Sequence, residues 1–244
     1  MKIVKPTAVI SIDDGNFEDF RVYKEVLKKY NVPATFNIVS GRLDNEGSLT
    51  TENLKTMFND PLIEIAAHGY SHKNDDNDIT KDIDTLSENL EADLRPIGFA
   101  SPGSGMKNDF IAENKEHLKA LGLSYVRTSN NPYPTERHLE IARSLNAPEY
   151  VINNVQQLIY ETDYCVNSTV VLHDTDVEDL KKLVDLTIKE NACMVFMFHH
   201  TKKSDEKDYD NLWNYDFYKF KEFVEYLSKN NIEVKKTCDV FTGE

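Results

Sequence analysis

Short apolar runs alternate along the chain with segments whose apolar residues recur every three or four positions. The run TAVISI at 7–12 has the length and composition of a buried strand, and Val22, Val26 and Tyr30 follow it at helical spacing. The run ATFNIV at 34–39 predicts a second strand. The same order recurs to the end of the chain, so the pattern indicates helices that connect parallel strands.

At least seven apolar runs qualify as strands. They are TAVISI, ATFNIV, LIEIAA, IGFAS, LSYVRT, ACMVFMF and IEVKKT. Helices are expected between them, including one over about 107–121, one over about 177–190 and a last one that Asp216 caps. The chain has 244 residues, and α/β barrels of this size commonly form a single unit. We therefore expect the α/β class, with a distorted (β/α) barrel of about seven to eight parallel strands that forms one domain, 1–244.

The segment 129–168 is the least regular part of the chain and is rich in proline and asparagine. Two stretches near its end resemble strands. They are EYVINNV at 149–155 and the residues that lead into STVVLHD at 168–174. We expect one or both to be strands, joined by long loops.

Acidic residues outnumber basic ones by 42 to 28, which gives a formal net charge of −14. Because no cluster of Lys or Arg stands apart from acidic neighbours, we expect neither nucleic acid nor a membrane surface as a partner. The first ten residues lack the apolar core of a signal peptide, so the default expectation is a cytoplasmic protein. A secreted protein whose leader has been removed would look the same. Cys165, Cys193 and Cys238 form no CxxC pair and predict free thiols.

Polar residues directly follow four of the predicted strands. In a parallel barrel the carboxyl ends of the strands meet at one face, where such barrels build their active sites. We therefore expect a single site at that face. Its candidate residues are Asp13 and Asp14, His68 and His72, Pro102 and Gly103, and His199.

The adjacent carboxylates of Asp13 and Asp14 would repel each other unless a cation lies nearby. His68 and His72, four residues apart in HGYSH, place two imidazoles on one side of a turn. Two imidazoles and one carboxylate form a three-ligand set that leaves zinc an open position, as in catalytic sites. The second carboxylate would then be a free base. An HxxxH spacing alone is also common on protein surfaces, and a pair of aspartates often simply begins a loop.

Four segments resemble the motifs of the polysaccharide deacetylases with NodB homology, carbohydrate esterase family 4. SIDDG at 11–15 is similar to the family's T-F-D-D-G, and HGYSH at 68–72 to its H-[ST]-x-x-H. FASPGSG at 99–105 is similar to a diverged R-x-P, and FMFHH at 196–200 to the L-x-H motif. The resemblance covers nearly the whole chain. It implies a metal-dependent hydrolase that removes N- or O-acetyl groups from a carbohydrate substrate.

The resemblance also implies a role for each matching residue of the first two motifs. Asp13 would be the general base that activates water, and Asp14 would bind the metal together with His68 and His72. The metal would be a divalent ion, with zinc as the first expectation and cobalt or nickel as alternatives. Ser71, next to His72, would orient the ligands.

The later motifs imply two further roles. His199 would be the general acid that protonates the leaving amine, and the backbone N–H of Gly103 would stabilise the oxyanion. His173, in VVLHD, also resembles the last motif. His199 is the preferred candidate because it precedes the final helix and strand, whereas an acidic helix follows His173.

The chain departs from the family pattern at two places. Ala100 stands where the third motif has an arginine that orients the base. We hypothesise that Arg127, at the end of LSYVRT on the next predicted strand, supplies the missing guanidinium. The Asp-Trp pair of the fourth motif has no match. Trp213 instead lies in a polar loop after His199, where it would either line a saccharide groove or pack above the last helix.

Two other functions are compatible with these residues. A barrel of this kind could hydrolyse another non-peptide C–N bond, such as that of a small cyclic amide, because substrate contacts lie on loops. The missing arginine would also fit a catalytically weak, saccharide-binding pseudoenzyme, although the base, the ligands and His199 are all present. Phosphoryl transfer and dinucleotide binding lack their glycine-rich motifs.

Overall fold

The computed structural model describes residues 2–242, so residue 1 and residues 243–244 of the predicted domain lie outside the described residues. The strands are β1 (Thr7–Asp14), β2 (Ala34–Ile38), β3 (Ile63–Ala67), β4 (Ile97–Ala100), β5 (Leu123–Thr128), β6 (Cys165–Asn167), β7 (Thr169–Val170), β8 (Cys193–Phe198), β9 (His200–Lys202), β10 (Asn214–Asp216) and β11 (Glu233–Lys235).

Helices connect most of these strands. They are α1 (Phe17–Val22), α2 (Lys28–Tyr30), α3 (Thr51–Phe58), α4 (Asp76–Leu90), α5 (Asn108–Glu113), α6 (Lys115–Ala120), α7 (Glu136–Ser144), α8 (Glu149–Asn154), α9 (Val177–Glu190), α10 (Phe217–Lys229) and α11 (Thr237–Phe241). A π-helical turn, Tyr23–Leu27, joins α1 to α2. Within residues 2–242, no helix has the length and apolar character needed to span a bilayer.

Nine strands form one parallel sheet that curls into a barrel. Its order is β6-β5-β4-β3-β2-β1-β8-β7, with β11 paired to the start of β1. The two ends of this order, β6 and β7, are separated in the sequence only by Ser168. The eight strands of this path therefore come close to a closed ring, which confirms the predicted distorted (β/α) barrel.

Side chains of each strand alternate between the surrounding helices and the barrel interior, as the two-residue repeat of a strand requires. On β1, Ile10 and Ile12 belong to the large apolar cluster under the helices. Val9 belongs to a smaller, interior cluster. Ser11 and Asp13 share the face of Val9, so the same alternation carries polar side chains into the barrel.

The short helix α11 closes the amino-terminal end of the barrel. Its Phe241 belongs to the interior cluster, and the backbone N–H of Cys238 donates to the Glu64 carboxylate at 3.0 Å. Glu64 also accepts hydrogen bonds from the hydroxyls of Tyr125 (2.8 Å) and Thr35 (2.7 Å). Burial raises the pKa of Glu64 above its ordinary value. This packing leaves the carboxyl end of the barrel as the open one.

Two details of the predicted elements are wrong. Residues 149–155, one of the two stretches expected to supply one or two strands, instead begin with helix α8, which follows Pro148. The buried Val151 and Val155 are four residues apart, and a short apolar run of this kind fits a helix as well as a strand. The helix expected over 107–121 is divided into α5 and α6, because the backbone of Asn114 departs from helical geometry, with φ of −105° and ψ of 16°. The residues leading into 168–174 do form β6 and β7.

Candidate active site

Asp13 lies inside the barrel near the end of β1 and is only 2% exposed. Nη2 of Arg127, on β5, lies 2.5 Å from each of its carboxylate oxygens. Nδ2 of Asn37, on β2, donates to its Oδ1 at 2.7 Å. Burial is the largest single influence and disfavours the charged carboxylate, but Arg127, His68 and His199 together outweigh it and lower the pKa of Asp13 to about 2. Asp13 is thus an ionised carboxylate that two other strands hold in place.

Asp14 and two histidines bring three ligand atoms together beside Asp13. Oδ1 of Asp14 lies 3.8 Å from Nε2 of His68 and 3.6 Å from Nε2 of His72. Nδ1 of His68 lies 2.7 Å from the carbonyl oxygen of Ala100, so Nδ1 donates there and Nε2 keeps its lone pair. The three atoms lie within 4.8 Å of one another. This donor set fits a divalent ion that binds oxygen and imidazole ligands at about 2.0–2.2 Å.

The charge state of His68 also suits a ligand. Burial lowers the pKa of His68 to about 4, although the carboxylates of Asp13 and Asp14 oppose the shift. The imidazole is therefore neutral at pH 7, as metal binding requires. Nη1 of Arg42 lies 3.2 Å from Oδ1 of Asp14 and offsets part of the negative charge at this point.

His199 follows the last residue of β8 and lines the same cavity as Asp13. Its ring centroid lies 4.7 Å from that of Trp213. Burial lowers the pKa of His199 below its ordinary value, and the nearby carboxylates oppose this shift. His173, the other histidine that resembles the last motif, packs its ring against Tyr209 at a centroid distance of 5.0 Å.

One cavity of about 630 Å³ opens at the carboxyl end of the barrel. Seven of the residues predicted for the site line it. They are Asp13, Asp14, His68, His72, Gly103, Arg127 and His199. Pro102 and Ser71 are not among its lining residues. Gly103 has a φ of 56°, and no atom lies within 4 Å of the place where a Cβ would stand. Its backbone is therefore not screened by a side chain on the cavity side.

The loop after His199 forms an outer wall of this cavity. Trp213 is 46% exposed and lines the cavity together with Asp208, whereas Tyr215 is buried in the core. Trp213 thus lies at the cavity and does not pack into the core above the last helix. An ion pair between Arg21 and Glu206 ties the loop to helix α1.

Three polar residues that support the site were not predicted. Asn37 interrupts the apolar run ATFNIV, a signal that the sequence did contain. Asp78 and Asp82 lie one turn apart on α4 among its buried positions, and Asp82 accepts the backbone N–H of His68. Ser71, which was expected to orient the ligands, donates instead to Asp78 at 2.6 Å.

The sequence model of the polysaccharide deacetylase family matches residues 2–126. No curated protein sequence matches the chain. Among solved structures, a candidate polysaccharide deacetylase from Mycobacterium smegmatis is 15% identical with a TM-score of 0.57, over 97% of this chain and 89% of the other. The Xyl-CE4 domain of a multidomain xylanase from the hindgut metagenome of Trinervitermes trinervoides is 12% identical with a TM-score of 0.53, over 98% and 91%.

A third structure, IcaB from Ammonifex degensii, is 23% identical with a TM-score of 0.43, over 49% of this chain. The chain covers 58% of the length of that protein. The two longer superpositions establish a shared fold.

Proposed function

Because this chain belongs to the polysaccharide deacetylase family, we propose that it removes acetyl groups from a carbohydrate by metal-dependent hydrolysis. One observation carries the proposal: a single cavity holds the carboxylate of Asp13, the three-ligand set beside it, and the imidazole of His199. Attack of water on an acetyl carbonyl needs a base, stabilisation of the oxyanion and an acid. The cavity offers a residue for each of these needs.

Asp13 would accept the proton of the attacking water. Its Oδ1 is hydrogen-bonded by Asn37, whereas Oδ2 lies 3.9 Å from Nε2 of His68 and faces the ligand set. Proton transfer to Oδ2 would leave the bond from Asn37 in place. Arg127 contacts both oxygens and keeps the carboxylate ionised until water arrives.

Asp14, His68 and His72 would hold the divalent ion. When bound, such an ion acts as a Lewis acid that polarises a carbonyl group and makes water more acidic. Two imidazole nitrogens and one carboxylate oxygen favour zinc, and cobalt or nickel can occupy the same donors. The bond from His68 Nδ1 to the Ala100 carbonyl fixes the tautomer that this binding needs.

Hydrolysis forms a C–O bond at the acetyl carbon and breaks the C–N bond, so the departing nitrogen must receive a proton. His199 would donate that proton as the general acid. The N–H of Gly103 would donate to the oxyanion while it exists. The products are acetate and a free amine, or an alcohol where the acetyl group is on oxygen.

Trp213 would contribute to binding of the saccharide. Its ring is half exposed at the cavity, and an aromatic face packs well against the apolar face of a sugar ring. The ion pair of Arg21 with Glu206 restrains the loop that carries it.

Acetate release tests this proposal directly. The purified chain is stripped with a chelator, supplied with zinc, cobalt or nickel, and incubated with acetylated chitooligosaccharides and other acetylated glycan fragments. Asp13→Asn and His72→Ala are the active-site variants. His117→Ala, which changes an exposed histidine paired with Asp76, is the matched control.

We expect metal-dependent acetate release that both active-site variants lose and the control retains. Acetate release without any metal dependence would contradict the role of the ligand set. No acetate release from a chain that binds one metal ion would exclude these glycans as substrates and favour another C–N bond or a binding role.

A further inference from the structure

Two carboxylates of helix α4 accept hydrogen bonds from the segment that carries His68 and His72. Asp82 is fully buried on this helix. Its Oδ2 accepts the backbone N–H of His68 at 2.8 Å. Its Oδ1 accepts the backbone N–H and the hydroxyl of Ser40, at 2.9 and 2.5 Å. One carboxylate therefore joins the end of β3 to the turn after β2.

Asp78 lies one turn earlier on α4 and accepts hydrogen bonds from Ser71 and Lys73 of the same segment. Its carboxylate accepts the hydroxyl of Ser71 at 2.6 Å and the backbone N–H groups of Ser71 and Lys73 at 3.0 Å. Gly69 between the histidines has a φ of 78°, and a Cβ there would lie 2.9 Å from Oδ2 of Asp78. Residues 68–73 are thus packed tightly against the first two turns of α4.

These carboxylates do not cap their own helix. Asp75 is the N-cap residue of α4, and its side chain accepts the N–H of Asp78. The carboxylates of Asp78 and Asp82 instead make the hydrogen bonds above to residues outside α4. Their hydrogen bonds therefore restrain the segment 68–73 and contribute little to the helix itself.

We propose that Asp78 and Asp82 are positioning residues that hold His68 and His72 ready for the divalent ion. The inference rests on the proposed function, because it concerns the same three-ligand set. Neither carboxylate belongs to that set; each acts through the backbone of the segment between the ligands. A segment that is already ordered loses less conformational freedom when an ion binds, so binding is tighter. Removing a partner of this kind typically weakens metal binding by about 10- to 100-fold.

Metal affinity, measured apart from activity, tests the proposal. Zinc binding to the stripped chain is measured by competition with a chromogenic chelator, and cobalt binding by its visible absorption. The variants are Asp82→Asn and Asp78→Asn. The matched control is Asp84→Asn, which makes the same change on the same helix at an exposed residue paired with Arg95. We expect about 10- to 100-fold weaker binding in both variants, an altered cobalt spectrum, and no change in the control.

Folding is checked on each variant by circular dichroism and thermal melting without metal. If Asp82→Asn does not fold, Ser71→Ala is measured in its place. This variant removes only the 2.6 Å hydrogen bond to Asp78 and should weaken metal binding by a smaller factor. A loss of affinity that merely matches a loss of folded protein would overturn the proposal. So would unchanged affinity in the folded variants, although the proposed function would then stand. A wild-type chain that binds no metal would refute both.

Discussion

Arg127 and Asp13 form an ion pair inside the barrel although 114 positions separate them in the sequence. The guanidinium reaches across the interior from β5 to the end of β1. In the pairing of β4 with β5, Arg127 lies opposite Ala100, the position where the family resemblance leads one to expect an arginine. A side chain from the adjacent strand at the same register therefore contacts the residue proposed as the base.

Replacing Arg127 with methionine should destabilise the chain and impair its activity. Both partners of this pair are buried, and removing one partner of a buried pair costs about 3–5 kcal/mol. The pKa of Asp13 is lowered from 3.8 to about 2, so the pair stabilises the fold above pH 3.8 and loses its effect as the pH falls towards 2.

Urea unfolding at several pH values and the pH profile of acetate release check this prediction. In Arg127→Met the pKa of Asp13 should rise, which moves the acidic limb of the activity profile to higher pH. Arg127→Lys keeps the charge and should recover part of both losses. An unchanged pH profile of acetate release in Arg127→Met would mean that the ion pair does not set the protonation state of Asp13.

Asp13→Asn should abolish most of the activity and leave metal binding nearly unchanged. Asp13 lies beside the three-ligand set but is not part of it. Loss of a general base typically costs about 10²- to 10⁴-fold in rate. Acetate release and metal content measured on the same sample separate the two effects, and a variant that lost its metal would assign Asp13 to the ligands.

Zinc should raise the melting temperature of the wild-type chain, because a ligand that binds only the folded state stabilises it. The gain is about 2.7 kcal/mol when free ligand is 100 times its dissociation constant. His72→Ala removes a partly exposed residue of the proposed ligand set and should lose this response while still folding. Differential scanning calorimetry with and without chelator provides the measurement. An equal shift in the variant would place the zinc elsewhere.

Trp213→Ala should raise KM for an oligosaccharide by about 2- to 10-fold and affect kcat less. The expected size follows from the roughly 0.5–1.5 kcal/mol of an aromatic contact, and the half-exposed ring makes little contribution to the core. Tyr133→Ala, which changes a residue that is 84% exposed, is the control. A fall in kcat alone would indicate that Trp213 acts through His199, whose ring it contacts.

Glu64→Gln should change how stability depends on pH. Burial raises the pKa of Glu64 above 4.5, so the folded chain binds this proton more strongly than the unfolded chain. Stability should then fall as the pH rises from 4.5 through the folded pKa, by about 1.4 kcal/mol for each unit of difference. Glutamine cannot ionise and removes this dependence.

Unfolding free energies of both proteins between pH 4.5 and 8 test this sign. The variant should gain stability relative to wild type as the pH rises. Glu88→Gln, at an exposed position of the same protein, should show no such trend. A wild type that became relatively more stable at high pH would show that Glu64 is held as an anion.

The local patterns of the sequence determined the strand and helix order, the barrel class and the residues at the strand ends. Such predictions succeed because burial on both faces makes a parallel strand continuously apolar, so a polar residue at its end is conspicuous. Asp13, Asp14, His68, His72 and His199 were all visible in this way. The spacing of the two histidines was also informative, since they lie only four positions apart.

The tertiary structure alone decided which distant groups meet. The contact of Arg127 with Asp13, which the sequence offered only as a hypothesis drawn from the family resemblance, depends on strand order. The hydrogen bonds that Asp78 and Asp82 accept from residues 68–73 depend on how α4 packs. The helix at 149–154 depended on packing too, because a short apolar run is compatible with either element. Sequence spacing can predict contacts between residues that are close along the chain. Closure of a barrel brings together side chains from distant strands, and the number of residues between them does not predict the distance between their atoms.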